Sequence, residues 1–123
     1  MIDYVELPEF KKDFKKLNKR FRTLPDDITI AKRAAIELFH EKGIDNQSLF
    51  EITGLHGKEP VYKLKKFARR SLKGKGDKSG IRIIYAYNEE FKKVHFIEMY
   101  FKGDKENEDG ARIAAYLKLL DEK

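Results

Sequence analysis

The sequence predicts an α+β fold in which a helical hairpin packs on one face of an antiparallel sheet and a third helix ends the chain. Two patterns carry this prediction. Apolar residues recur at helical spacing near both ends of the chain, and they alternate with polar residues in between. The predicted element order is β-α-α-β-β-β-α, and the length of 123 residues fits one domain, placed at 1–123.

The first third of the chain predicts a short strand followed by two helices. Residues 2–7 have strand character, and Pro8 suits the first turn of a helix. The apolar stripe of the first helix consists of Phe10, Phe14, Leu17 and Phe21. A Leu-Pro-Asp-Asp segment separates it from a second helix, whose stripe consists of Ile28, Ala31, Ala35, Leu38 and Phe39. Gly43 is the expected C-cap.

The rest of the chain predicts three strands and a last helix. The strands are expected at residues 61–67, 81–87 and 94–101, and short links make them most simply antiparallel. The last helix is expected to begin near Glu108 or Asp109 and to turn four residues to the core: Ile113, Tyr116, Leu117 and Leu120. All helices are expected to cover one sheet face, because their apolar stripes need a partner.

Positive charge is concentrated in two segments. The formal net charge is +6, yet residues 58–82 hold ten Lys or Arg against two acids, and residues 8–22 hold seven against two. The remainder of the chain is acidic. Two basic segments on such a chain indicate a polyanionic partner such as a nucleic acid. The alternative is a solvated basic helix and a basic loop at residues 71–80 without a partner.

Several classes of protein and site are excluded by the composition. The chain has no Cys, so disulfides and thiolate chemistry are absent. We see no signal peptide and no apolar run of transmembrane length, which together predict a cytoplasmic protein with no membrane partner. The three His residues make no ligand pair with nearby acids, so no metal and no cofactor are expected. The acidic residues at 104–109 are explained by the favourable interaction of negative side chains with the N-terminus of the last helix.

Strand parity gives the sharpest prediction about chemistry. Lys63 and Lys65 alternate with apolar residues, and Arg82 lies opposite the apolar face of its own strand. If both apolar faces meet the helices, these three cations share the uncovered face, and Arg69 extends the row. Fixed cations on a rigid sheet can bind phosphate and stabilise the extra charge of a phosphoryl-transfer transition state. The alternative is an ordinary solvent-exposed strand face.

Three segments, in this order and spacing, resemble the RelE/ParE toxin superfamily of type II toxin–antitoxin systems. They are residues 62–65 (Tyr-Lys-Leu-Lys), residues 79–85 (Ser-Gly-Ile-Arg-Ile-Ile-Tyr) and residues 96–102 (Phe-Ile-Glu-Met-Tyr-Phe-Lys). The resemblance implies the fold of that family. It also implies the activity of a RelE-like mRNA interferase, a metal-independent endoribonuclease that cleaves mRNA on the ribosome by attack of the RNA 2′-hydroxyl. The implied partners are mRNA, the ribosome and a cognate antitoxin protein.

The resemblance also implies roles for individual residues. The catalytic set is Lys63, Lys65, Arg82 and Lys102. Lys63 or Lys65 assists deprotonation of the 2′-hydroxyl, which requires a depressed pKa. Arg82 stabilises the phosphorane-like charge, and Lys102, or alternatively Lys105, neutralises or protonates the leaving oxygen. Further contacts to RNA are expected from Arg69, Arg70, Lys73, Lys75, Lys78 and Lys105.

The sequence departs from the family in ways that keep other functions open. The family's catalytic tyrosine has no clear match, since Tyr116 is expected in the core and Tyr100 precedes the turn. The same fold hosts ParE-like inhibitors of DNA gyrase, so fold alone does not decide function. The alternatives are therefore a gyrase inhibitor and a non-catalytic basic RNA-binding module. The expected antitoxin is an acidic amphipathic segment that covers the basic face or displaces the last helix.

Overall fold

A five-stranded mixed sheet lies between two layers of helix. The computed structural model describes residues 1–45, 47–55, 57–65 and 80–121. The sheet order is β1-β5-β4-β3-β2, with strands at Asp3–Glu6 (β1), Leu49–Glu51 (β2), Val61–Leu64 (β3), Ile81–Asn88 (β4) and Lys93–Phe101 (β5). The α+β class expected from the sequence is therefore confirmed.

The predicted helical hairpin is present at the N-terminal end. Its first arm is α1 (Pro8–Asn18), and its second arm is α2 (Leu24–Ala31), a π-helical segment (Lys32–Glu37) and α3 (Leu38–Lys42) in sequence. Gly43 ends this arm at φ 67°, a left-handed conformation that glycine adopts without steric cost, and its amide donates to the Phe39 carbonyl. The final helix is α4 (Gly110–Asp121). In the described ranges no helix is long and apolar enough to cross a membrane.

The sheet is not wholly antiparallel, which corrects the prediction. β1 pairs in parallel with β5, with Asp3 opposite Lys93 and Glu6 opposite Phe96, whereas the other strand pairs are antiparallel. Antiparallel pairing is required only of strands joined by tight turns. The whole helical hairpin and three strands separate β1 from β5 in the chain. Because no tight turn joins β1 to β5, these two strands can pair in parallel. A further strand, β2, was not predicted, because three residues are too few for an alternating pattern.

The helices cover both faces of the sheet, which is a second correction. The hairpin packs on one face, where Phe10 stacks on Phe96 with ring centroids 4.9 Å apart. On the opposite face α4 packs against the strands, and the shared core is Val61, Ile84, Ala86, Ile97, Tyr100, Ile113, Tyr116 and Leu117. Strand parity predicted that this face of the sheet would be open to solvent, but α4 covers much of it.

Of ten residues expected in the core on the hairpin face, five are buried and five are half-buried. Phe10, Leu17, Leu64, Ile83 and Tyr85 are within the core as expected. The remaining aromatic members of the predicted core lie at its margin, half-buried and packed against the same cluster: Phe14, Phe21, Phe39 and Tyr62. Leu38 is also half-buried.

Removal of the Phe10 side chain tests this packing. Phe10 is completely buried, so Phe10→Ala should lower the free energy of unfolding by about 3–5 kcal/mol through lost burial and the resulting cavity. Phe91 is 68% exposed, so Phe91→Ala is a matched control that should change the free energy by less than about 0.5 kcal/mol. Urea unfolding monitored by circular dichroism measures both. Equal effects of the two substitutions would show that α1 does not pack as described.

A half-buried histidine in this layer makes stability depend on pH. His40 Nε2 lies 2.8 Å from Tyr85 Oη, and burial, with a smaller effect from the Lys92 charge, lowers the pKa of His40 from 6.5 to about 4. The unfolded chain therefore binds a proton at this residue near pH 6.5, and the folded chain does not. The stabilisation from neutral His40 is complete above pH 6.5 and is lost as the pH falls towards 4.

We therefore expect the free energy of unfolding to decline between pH 6.5 and 5, where most carboxylates remain ionised. In His40→Gln this part of the decline should be smaller, because the residue no longer titrates. Urea unfolding at half-unit pH intervals measures both profiles. Parallel pH profiles for the two proteins would contradict the depressed pKa of His40.

Candidate functional site

Polar side chains converge at the end of the sheet where β3 ends and β4 begins. Val61 belongs to the core under α4, so Lys63, two residues further along the strand, faces the same side. Arg82 lies between Ile81 and Ile83, which both face the hairpin, and it is directly opposite Tyr100 on β5. The structure therefore places Lys63, Arg82 and Tyr100 on the α4 face of the sheet, at the same end.

Lys63 is not exposed on this face, because the segment before α4 covers it. Its ammonium group forms an ion pair with the carboxylate of Glu108, and the two side chains are only 15% and 21% exposed. Lys65 lies next to this pair, and its charge also acts on Glu108. We refer to Lys63, Lys65, Arg82, Tyr100 and Glu108 together as the cationic site.

The protonation of Lys63 differs from the prediction. Burial lowers its pKa, but hydrogen bonds to Glu108 and Tyr100 and the charge of Glu108 outweigh burial, so the pKa is raised overall. The requirement for a depressed pKa is therefore not met, and Lys63 stays protonated at neutral pH. Burial acts to raise the pKa of Glu108, but the hydrogen bond from Lys63, a backbone hydrogen bond and the two lysine charges lower it overall. Both partners are charged.

Tyr100 completes the buried side of the cationic site. The residue is only 6% exposed, and burial raises the pKa of its hydroxyl, against the opposing effect of Lys63. The phenol is therefore protonated at neutral pH and forms a hydrogen bond with Lys63. Sequence reasoning set Tyr100 aside because it precedes the turn. The signal that could have found it is the pairing of its strand with β4, which puts Tyr100 opposite Arg82.

Arg82 is fixed by the backbone at the point where β3 ends. Its Nη1 donates to the carbonyl oxygens of Lys65 and Ile81, both at 3.1 Å. A guanidinium group carries five N–H donors in a rigid plane, so two bonds from one nitrogen orient the group without using all its donors. Arg82 is half-buried, and the two hydrogen bonds hold its guanidinium group in one orientation at the edge of the site.

Lys65 is held at the outer side of the site by the neighbouring strand. Its ammonium nitrogen lies 4.6 Å from the centre of the Phe50 ring, a cation–π contact, and its amide donates to the Ser48 carbonyl at 2.9 Å. Phe50 belongs to β2, the strand that the sequence did not predict. The position of Lys65 therefore depends on an element that sequence reasoning missed.

The two lysines after β5 differ in their surroundings. Lys105 forms an ion pair with Glu98, whose side chain is only 2% exposed and also accepts a hydrogen bond from the Asp109 amide at 2.8 Å. Lys102 is exposed at the end of the strand, and its amide donates to the Gly80 carbonyl at 2.7 Å. Lys105 therefore neutralises a buried carboxylate, whereas the Lys102 side chain lies at the surface.

The acids at 104–109 have separate roles. Asp109 caps α4, since its carboxylate accepts a hydrogen bond from the Arg112 amide at 3.1 Å, as the helix-terminus explanation requires. Glu108 instead pairs with Lys63, and Asp104 pairs with Arg20 at 2.5 Å. No local sequence pattern could have shown these two pairings, because the partners are more than 40 residues away in the chain.

The remaining predicted RNA contacts lie outside the described residues, and they stay predictions. They are Arg69, Arg70, Lys73, Lys75 and Lys78. Comparison with known proteins identifies no relative, since no family model matches the chain and no curated protein matches it. Across the ranges that the structure describes, no group of three or more His, Asp or Glu side chains is placed to hold a metal ion.

Removal of Glu108 tests the arrangement around Lys63. In Glu108→Gln the hydrogen bond and the charge that raise the pKa of Lys63 are weakened or lost, so this pKa should fall. Glu106 is exposed in the same segment, and Glu106→Gln is a control that removes an equal charge without this contact. Nitrogen-15 NMR titration of the lysine ammonium groups measures both variants. An unchanged titration of Lys63 in Glu108→Gln would contradict the ion pair.

Proposed function

We propose that this chain is a toxin of the RelE/ParE type that cleaves RNA without a metal ion, through attack of the 2′-hydroxyl on the adjacent phosphodiester. The observation that carries the proposal is the convergence of three cations, Lys63, Lys65 and Arg82, at one end of one sheet face. Tyr100 and Glu108 add a protonated phenol and an ionised carboxylate to the same site. Such a set can bind a phosphate and move protons.

Stabilisation of charge is the first task of the site. In the transition state the phosphorus oxygens gain a second negative charge beyond the one that the phosphodiester already carries, and cations held in place beforehand stabilise it most. Arg82 is oriented by two backbone carbonyls, and Lys63 stays protonated because of its neighbours. We assign charge stabilisation to these two residues and placement of the RNA backbone to Lys65.

Exchange of ionic partners is the second task. A phosphate that binds Lys63 must take the place of Glu108, the present partner of the ammonium group. The released carboxylate then lies close to the bound RNA, where it can accept the proton of the 2′-hydroxyl as the O2′–P bond forms and the P–O5′ bond breaks. This assignment replaces Lys63 as the expected base, because its raised pKa does not suit proton removal. Lys65, the other expected base, is assigned to placement of the RNA backbone instead.

Protonation of the leaving oxygen is the third task. Lys105 is the counter-charge of the buried Glu98 carboxylate, and its loss from that pair would leave an uncompensated buried charge. Lys102 is exposed at the end of β5, and among the described contacts its side chain forms no ion pair of this kind. We therefore assign the proton transfer to O5′ to Lys102. The products are a 2′,3′-cyclic phosphate and a 5′-hydroxyl.

The exposed cations of α1 support a large polyanionic partner. Four exposed lysines lie on this helix and a fifth follows it directly: Lys11, Lys12, Lys15, Lys16 and Lys19. Such a surface adds binding energy that is independent of RNA sequence and sensitive to salt. We propose mRNA on the ribosome as the substrate, and an acidic antitoxin segment as the partner that covers these cations.

A second candidate function is RNA binding without catalysis. It is favoured by the pairing of Lys63 and Lys105 with carboxylates, which reduces the positive charge that the site offers to a phosphate. The exposed lysines of α1 would then carry the binding. Inhibition of DNA gyrase is a further outcome that the cellular experiment below separates from RNA cleavage.

Substitution of Arg82 tests the proposed activity. Arg82→Ala should slow RNA cleavage by about 10²–10³-fold, as expected for loss of one group that stabilises transition-state charge, while RNA still binds. Single-turnover cleavage on programmed ribosomes and mapping of RNA 5′ ends measure the effect. Lys118, exposed on α4, provides the control Lys118→Ala, which should cleave at the unaltered rate.

Three results would contradict the proposal. If Arg82→Ala cleaves RNA at the unaltered rate and only its free energy of unfolding is lower, Arg82 has a structural role and no catalytic one. Binding of RNA without any new 5′ ends in the unaltered protein would favour the non-catalytic module. Arrest of DNA replication before translation, after induced expression in cells, would favour gyrase inhibition.

A further inference from the structure

A second pocket lies at the other end of the sheet, on the hairpin face. It is a cavity of about 520 Å³, and its aromatic walls are Phe39, His40, Tyr62 and Tyr87. We call it the aromatic pocket. Tyr87 is five residues along β4 from Arg82, about 17 Å in an extended strand, and it faces the opposite side of the sheet. The pocket is therefore separate from the cationic site.

The rings of the aromatic pocket hold one another in place. His40 stacks on Tyr87 with centroids 3.9 Å apart, and it meets Tyr62 edge to face at 5.0 Å. Tyr62 in turn stacks on the buried Tyr85 at 5.4 Å. Because these contacts involve α3, β3 and β4, the walls of the pocket are preformed by the fold. A ligand would not have to order them.

The charge around the aromatic pocket is negative on a chain whose net charge is +6. Glu59, Glu89 and Glu90 line it, against Lys58 among the described lining residues and Lys92, whose charge acts on His40 from nearby. The Lys58 ammonium group reaches the Leu120 carbonyl at 3.5 Å, so it is directed towards α4. His40 adds no positive charge at neutral pH, because burial keeps its imidazole neutral.

Tyr87 provides an independent sign of a missing partner. The residue is only 4% exposed, and its hydroxyl is buried without a hydrogen-bond partner among the described residues. Buried hydroxyl groups nearly always have a partner, so an exception in the wall of a cavity indicates a ligand that supplies one. Burial keeps this hydroxyl protonated by raising its pKa, and it can still accept a hydrogen bond from an N–H group.

The chemistry of the aromatic pocket selects one class of ligand. Aromatic faces attract cations through the ring quadrupole, and carboxylates attract them by charge. A nucleotide would bring its phosphate close to Glu89 and Glu90, which repel it. We propose that the aromatic pocket binds a polyamine, whose ammonium groups lie against the aromatic faces and donate to Tyr87 Oη and the carboxylates of Glu89 and Glu90. The volume accommodates a flexible chain of this size.

Calorimetric titration of the full chain with spermidine tests the proposal. We expect saturable binding with one site per chain. Tyr87→Phe removes the accepting oxygen and keeps the ring, so it should weaken binding about tenfold. The double variant Glu89→Gln, Glu90→Gln should weaken binding by at least the same factor, and its two positions are exposed, so folding is not at risk.

A matched control separates the pocket from the general charge of the protein. The double variant Glu6→Gln, Glu106→Gln removes two exposed carboxylates elsewhere on the surface and should bind spermidine as the unaltered chain does. The proposal is overturned if spermidine does not bind saturably, or if this control weakens binding as much as the pocket variants do. It is also overturned if adenosine monophosphate or acetyl-arginine amide binds in place of spermidine, since a nucleotide or a partner's side chain would then be the ligand.

Discussion

Burial of β4 and β5 on both faces is the constraint on which the rest of the fold depends. In β4 the consecutive residues Ile83 and Ile84 are both fully buried, and in β5 the same holds for Phe96 and Ile97. Each fully buried apolar side chain contributes about 1.5–3 kcal/mol, so neither face of these strands can be left in water. The helical hairpin can cover only one face, and α4 must therefore cover the other. This placement brings the segment before α4, with Glu108, over Lys63.

The exposed edge of β5 determines how α4 is fixed. β1 pairs with residues 93–96, and beyond this pairing side chains bond to two further backbone groups of β5. Asp13 on α1 accepts a hydrogen bond from the Met99 amide at 3.1 Å, and Arg112 on α4 donates to the Ile97 carbonyl at 3.1 Å. Arg112 also pairs with Asp13 at 2.6 Å and with Glu9 at 3.4 Å, so ionic contacts join the two helical layers around the sheet. The position of the cationic site thus depends on residues far from it in sequence.

Local patterns predicted the elements that depend on local periodicity, and failed where long-range packing decides. The stripe of α1 and the parity of Lys63 and Arg82 could be read directly, since helical and strand periods are local properties. The parallel β1 and the three-residue β2 depend on edges that only the assembled sheet offers. The predicted position of α4 was wrong, although the sequence contained a signal for the correct one. Ile84 and Ala86 are apolar residues on the sheet face that strand parity had left uncovered. Tyr100 and Glu108 were missed with it.

The proposed function accounts for the ion pair between Lys63 and Glu108 better than stability does. Removing two charges from water costs several kcal/mol, and replacement of a buried pair by apolar residues is often neutral or stabilising. Val61, Ile84 and Ile97 already supply an apolar surface under α4, so the fold has no need of charge there. An ammonium group that is kept protonated, beside a carboxylate that can be exchanged for phosphate, is instead what a polyanion-binding site requires. Under the proposed function, the pair would keep both charges defined in the absence of RNA, and RNA binding would be an exchange of partners rather than the burial of a bare charge.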